Sequence, residues 1–169
     1  MSKIYIDFDG VILDTWLVIS NEYYRKYKTN LIKEEKLKKL MINIGWETIL
    51  KRSQIINNII EKIKKISSYY YICILSKINS INEIEQKTKF LISNEIFNMY
   101  FVPYEQSKAE YVDPYNNFLI DDDLKNLEEW EVKGGKCIFF NKKLTNYDSY
   151  GRINDKYLTI NDLLNIYEL

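Results

Sequence analysis

Histidine is absent from the 169 residues. That excludes Ser-His-Asp and Cys-His catalysis and removes the commonest zinc ligand. Acid–base chemistry therefore falls to Asp, Glu, Lys, Tyr or Cys. Cysteine occurs twice, at Cys73 and Cys137, each inside a strand-like run. Both read as small buried hydrophobes in a reducing cytoplasm, with no disulfide expected. With 2 prolines and 5 glycines, the chain shows no long linker, repeat or low-complexity segment. Its apolar runs are far short of the roughly 20 residues that span a bilayer. Asp7 and Asp9 interrupt the apolar N-terminal segment, which argues against a signal peptide. A cytoplasmic protein with no membrane partner is expected. The 24 Lys and Arg balance the 24 Asp and Glu. A general nucleic-acid binder is usually basic as a whole, so no stable nucleic-acid partner is expected.

The hydrophobic share of 46% and charged share of 28% are ordinary for a globular chain. The length fits one domain with a small insertion. The charge is unevenly placed, because residues 15–65 hold 12 Lys and Arg against 5 Glu. Two readings stand: solvated helix faces, or a basic lid over an anionic substrate.

Lys3–Phe8 alternates and is rich in β-formers, so a strand is expected there. Residues 15–66 lack proline and have helical spacing. They suggest one helix at "TWLVISNEYYRKYK", a second at "KEEKLKKLMINI" that breaks near Gly45, and a long third at "ETILKRSQIINNIIEKIKKI". Strands are expected at 69–76, 98–103, 116–123 and 136–140, and helices at 81–95 and "LKNLEEWEVK". Asp123 is a plausible N-cap for the latter, which Gly134-Gly135 ends. "TINDLLNIYEL" reads as a terminal helix capped at Thr159 or Asn161.

Strands alternating with helices give an α/β class: a three-layer, Rossmann-like fold with a mostly parallel sheet of about five strands. Some 52 residues separate the first two strands, too many for one crossover helix. The expected organisation is a core of 1–14 and 67–169 with a small helical cap, 15–66, inserted after strand 1. Ligands in such sheets bind beyond the carboxyl ends of the strands. That rule gathers Asp7, Asp9, Ser76, Asp121 and Asp122 at one edge. Clustered carboxylates raise each other's pKa or recruit a cation, and a hard oxygen-lined site that shares its shell with phosphate suits Mg²⁺. Lys108, between strands three and four, is placed to neutralise a phosphate; Lys77, Lys87 and Lys89 compete, the last two from within a helix-like run. Ser76 can donate to a phosphate oxygen. Trp16, Tyr23, Tyr24, Tyr27 and Trp46 could stack on a base or sugar, or be core. Asn126, one turn into the last motif's helix, could touch the site loop.

"DFDGVILDT", a strand ending in Ser, an isolated Lys and then "LIDDDLKN" resemble the haloacid dehalogenase-like superfamily, in its DxD phosphatase branch. The resemblance covers nearly the whole chain. It implies Asp7 as the nucleophile that becomes an aspartyl-phosphate and Asp9 as general acid/base. It further implies Ser76 and Lys108 as phosphate-binding, and Asp7, Asp9 and Asp121 as the Mg²⁺ site with Asp122 beside them. Asp9 argues against dehalogenation, since that branch lacks the second Asp. "ILSKIN", "SKAEYV" and "LIDD" are loosely similar to the 5'(3')-deoxyribonucleotidase group. The implied activity is hydrolysis of a small phosphate monoester, with nucleotides among the candidates. The competing readings are a non-catalytic binder of a phosphorylated ligand and a phosphomutase.

Overall fold

The computed structural model describes residues 2–142, 150–151 and 156–168. A sheet of seven strands runs in the order β3-β2-β1-β4-β5-β7-β6. The strands are β1 (Lys3–Ile6), β2 (Tyr71–Ile78), β3 (Met99–Pro103), β4 (Phe118–Asp121), β5 (Lys136–Phe140), β6 (Tyr150–Gly151) and β7 (Leu158–Ile160). All pairings are parallel except that between β6 and β7. The helices are α1 (Thr15–Tyr27), α2 (Glu34–Asn43), α3 (Trp46–Arg52), α4 (Ile59–Ser67), α5 (Ile81–Ser93), α6 (Lys108–Tyr111) and α7 (Leu124–Val132), followed by a 3-10 helix at Leu163–Glu168. The α/β class is as expected, and the sheet gains two strands at its far edge.

The central strands are apolar on both faces because both are covered. Ile4, Ile6, Ile74 and Ile120 pack with Phe8 and with residues of α1–α4, while Tyr5, Leu75, Leu119 and Trp130 form a second cluster. Burying one such side chain contributes about 1.5–3 kcal/mol. α7 starts as the sequence suggests: Asp123 accepts from the Lys125 amide at 2.9 Å, and the helix ends before Gly134, whose φ of +80° is glycine's own region.

Two expectations fail. The long third helix is divided into α3 and α4. Between them Asn57 and Asn58 take left-handed φ of 46° and 56°, a conformation asparagine tolerates better than most residues. The intervening chain joins the loop after β1 instead: the Asp14 amide donates to Gln54 O and the Ile56 amide to Ile12 O, both at 3.0 Å. Entry to and exit from α1–α3 are thus joined, and α4 buries Ile59, Ile60, Ile63 and Ile66 in the main core. The terminal helix is also displaced. Thr159 lies within β7, with Leu158, Thr159 and Ile160 paired to β5, because these β-branched and apolar residues complete the sheet. The short helix that follows is capped by Asp162, which accepts from the Leu164 amide at 2.9 Å.

Candidate active site

The carboxyl ends of β1 and β4 lie side by side, and the Asp7 amide continues their pairing by donating to Ile120 O at 2.9 Å. Asp7 and Asp121 are both buried. Between them lies the Lys108 ammonium, within hydrogen-bond reach of Asp7 Oδ1 and 2.7 Å from Asp121 Oδ2. α6 is short, capped at Ser107, and brings Lys108 in from the end of β3. Burial works against the Lys108 charge, but Asp121 and Asp7 outweigh it and hold its pKa above the ordinary lysine value. Asn126 Nδ2 donates to Asp121 Oδ2 at 3.0 Å, and the Asp123 amide donates to Asp121 Oδ1 at 2.9 Å. The expected contact of Asn126 with the site is present.

Oxygens of Asp7, Asp121 and Asp122 come within 4.8 Å of one another. Asp122 reaches this group because residue 10 is glycine. A Cβ there would fall 2.0 Å from Asp122 Oδ2, and the φ of +83° is one that other residues resist. Burial, opposed by Lys108 and reinforced by Asp121 and Asp9, pushes Asp7 up to about 7. Asp122 is exposed as a residue, yet its carboxylate is hemmed in; loss of hydration, then the charges of Asp7 and Asp121, push it up to about 8. Three hard oxygen donors with excess negative charge fit Mg²⁺, which takes one or two carboxylates and keeps waters for the rest of its shell.

Asp9, expected in the metal set, is held elsewhere. Oδ1 accepts from Thr15 Oγ1 at 2.7 Å. Oδ2 accepts from the Lys87 ammonium and has Ser76 Oγ at 3.4 Å. Ser76 is fully buried. β2 continues two residues past it, in register with β3, so Ser76 sits behind Asp9 and does not line the cavity. Lys77 and Asn79 do. Lys87, which the sequence placed in a helix-like run and ranked behind Lys108 as a phosphate partner, is instead the buried partner of Asp9.

The cavity encloses about 270 Å³ and is floored by Asp7, Asp9, Lys108, Asp121 and Asp122. Its roof comes from α1 and α2 through Trp16, Ile19, Leu37, Lys38 and Met41. Of the five rings considered for stacking, Trp16 alone lines it. Trp46 and Tyr23 are core residues. Arg25, Lys26, Lys28 and Lys51 lie outside the cavity lining. Arg25 pairs with Glu22 and Lys51 with Glu47. Of the 12 Lys and Arg in residues 15–65, Lys38 lines the cavity and these four do not.

No protein-family model matches the sequence, and no curated protein matches it. Solved structures match it over nearly its whole length. A haloacid dehalogenase-like family hydrolase from Streptococcus pneumoniae superposes with a TM-score of 0.62 at 13% identity, covering 99% of this chain and 97% of that one. A family IA hydrolase of the same superfamily from Entamoeba histolytica gives 0.59 at 13%, covering 97% and 94%. The haloacid dehalogenase-like hydrolase YfnB from Bacillus subtilis, solved with magnesium, gives 0.60 at 10%, covering 99% and 97%. The fold is that of the haloacid dehalogenase-like hydrolases.

Proposed function

We propose that the protein is a Mg²⁺-dependent phosphomonoester hydrolase that works through an aspartyl-phosphate on Asp7. The observation that carries this reading is the Lys108 ammonium seated between Asp7 and Asp121, with Asp122 closing an oxygen cluster at the floor of the cavity. In this reading an Asp7 oxygen forms a bond to phosphorus as the ester oxygen leaves, and Asp9 gives that oxygen its proton. Asp9 then takes a proton from water as the water attacks phosphorus, which breaks the Asp7–phosphate bond and frees phosphate. Lys108 keeps Asp7 in place and offsets charge on the phosphoryl oxygens. Asp7, Asp121 and Asp122 would hold Mg²⁺, which would supply further positive charge at the phosphoryl group. Ser76 serves by backing Asp9 from behind the cavity wall.

Helices α1–α3, joined to the core by the paired segments at 12–14 and 54–56, act as the cap. The substrate is a small phosphate monoester whose organic group meets Trp16, Ile19, Leu37 and Met41. The half-exposed Trp16 ring supports a nucleoside monophosphate, as in a 5'-nucleotidase. Both cysteines are free, Cys73 on β2 and Cys137 on β5 with β1 and β4 between them, and a reducing cytoplasm is part of this reading. Among the described residues no helix is long and apolar enough to cross a membrane.

Phosphate release from a panel of monoesters, nucleotides included, tests the reading. Release should require Mg²⁺, stop with EDTA and be lost in Asp7→Asn. Release that survives in Asp7→Asn removes Asp7 as nucleophile. An isomeric product without free phosphate identifies a mutase, and tight binding without turnover identifies a binder.

A further inference from the structure

Lys87 is completely buried, and its ammonium is fully engaged. It donates to Asp9 Oδ2, lies 2.7 Å from Glu83 Oε1, and donates to Ser76 Oγ at 3.0 Å. An ammonium has three protons, and these three acceptors, with the Lys77 carbonyl at 3.4 Å, use them. No donor is left to reach a phosphate, and the residue does not line the cavity. Glu83 is equally buried, and its other oxygen accepts from the Asn79 amide at 2.7 Å. The pair is roofed by aromatic rings: the Lys87 ammonium lies 5.0 Å from the ring centres of both Phe8 and Trp46. Phe8 comes from the loop that carries Asp7 and Asp9, and Trp46 from α3.

A buried ion pair is expensive to desolvate and is weak evidence of stability. What this pair does hold is the direction of Asp9. Thr15 takes one Asp9 oxygen and Lys87 the other, so the carboxylate cannot turn about its own axis without breaking a charged hydrogen bond. We propose that Lys87, anchored by Glu83, is a positioning residue for Asp9, fixing its carboxylate toward the leaving oxygen and later toward the attacking water. This rests on the phosphohydrolase reading above and adds a part to it. The proton transfers remain those of Asp9; Lys87 and Glu83 gain and lose no proton in the cycle.

The test separates steps that need Asp9 from one that does not. With 2,4-dinitrophenyl phosphate the leaving group departs without a proton, so phosphorylation of Asp7 appears as a burst of dinitrophenolate. An alkyl phosphate needs Asp9 in both steps. In the paired neutral replacement Lys87→Met/Glu83→Gln, the burst rate should stay within about threefold of wild type. Turnover of the alkyl ester should fall about 100-fold with KM little changed, the scale of general acid–base catalysis. Should that variant not fold, as read by circular dichroism, Glu83→Gln alone should show the same split at about tenfold. Equal losses in burst and alkyl turnover, or turnover within threefold of wild type in a folded variant, overturn the proposal. Asp9→Asn is the control: if it loses turnover while the Lys87 variant does not, only the positioning role fails. If Asp9→Asn or an inactive wild type shows that Asp9 has no task, the hydrolase reading fails and takes this role with it.

Discussion

The place where a side chain would begin at Gly10 is already taken by the carboxylate of Asp122, 2.0 Å from Oδ2. The loop after β1 and the loop after β4 can close on one another only because residue 10 ends at its Cα. Gly10→Ala should therefore do more than strain the backbone. The positive φ costs about 1 kcal/mol, and the displaced Asp122 should leave the oxygen cluster. The expected outcome is a folded protein whose melting temperature no longer rises with Mg²⁺, with turnover reduced at least tenfold. A variant that gains as much from Mg²⁺ as wild type would show that Asp122 is no ligand.

Lys108→Met should be severe. It leaves Asp7 and Asp121 buried without their common partner, a change that typically costs about 3–5 kcal/mol. Urea unfolding should show a loss of that order, partly recovered by adding Asp121→Asn, which removes one of the stranded charges. Phosphate release should be abolished in both.

The metal-free protein should lose stability as pH rises. Asp7 and Asp122 are raised to about 7 and about 8 from 3.8. Between about pH 4 and pH 8 the native state then holds protons that the unfolded chain has released. By linkage their contribution is complete below pH 4 and falls as pH climbs through the native values. In EDTA, Asp122→Asn should accordingly raise the melting temperature more at pH 8.5 than at pH 5, by roughly 2–4 °C for about 1 kcal/mol in a chain of this length. Mg²⁺ competes with the same protons, so its stabilising shift should be larger at pH 8 than at pH 5.5. A Mg²⁺ shift independent of pH would place the ion away from these carboxylates.

Trp16 and four exposed basic residues should separate cleanly. Trp16→Ala should lower kcat/KM for a nucleoside monophosphate about tenfold and leave a small alkyl phosphate within about threefold. Replacing Arg25, Lys26, Lys28 and Lys51 together with Gln should leave both substrates within about threefold, because none of these side chains lines the cavity and exposed charges beyond about 8 Å are screened at physiological ionic strength. A large loss in the quadruple variant, with its salt dependence flattened, would restore the basic lid.

What the sequence by itself determined is local or periodic. Alternation marked β1 to β5, and the residue following an apolar strand in a parallel sheet must lie at its carboxyl edge. Asp7 and Asp121 could thus be placed together from spacing alone. The Asp123 cap and the Gly134 stop were readable because capping is chemistry within a few residues. Lys108 was readable because its sequence neighbours show no helical periodicity, although it opens the short α6. Lys87 was not, since Glu83 and Lys87 four apart look like an ordinary surface pair. Only the packing of α5 beneath Phe8 and Trp46 turns that pair inward, onto an aspartate 78 residues away. The split between α3 and α4 has the same origin. The isoleucine spacing is helical across it, but the chain at 54–56 pairs with the loop after β1 instead. The identity of the third clustered carboxylate was also a tertiary decision. Asp9 and Asp122 were both near in sequence to the strand ends; Asp9 is drawn off by Thr15 and Lys87, and Asp122 is admitted by the missing side chain of Gly10. Sequence spacing sets which edge of the sheet a charge occupies, while contacts between elements far apart in the chain set which neighbour it faces.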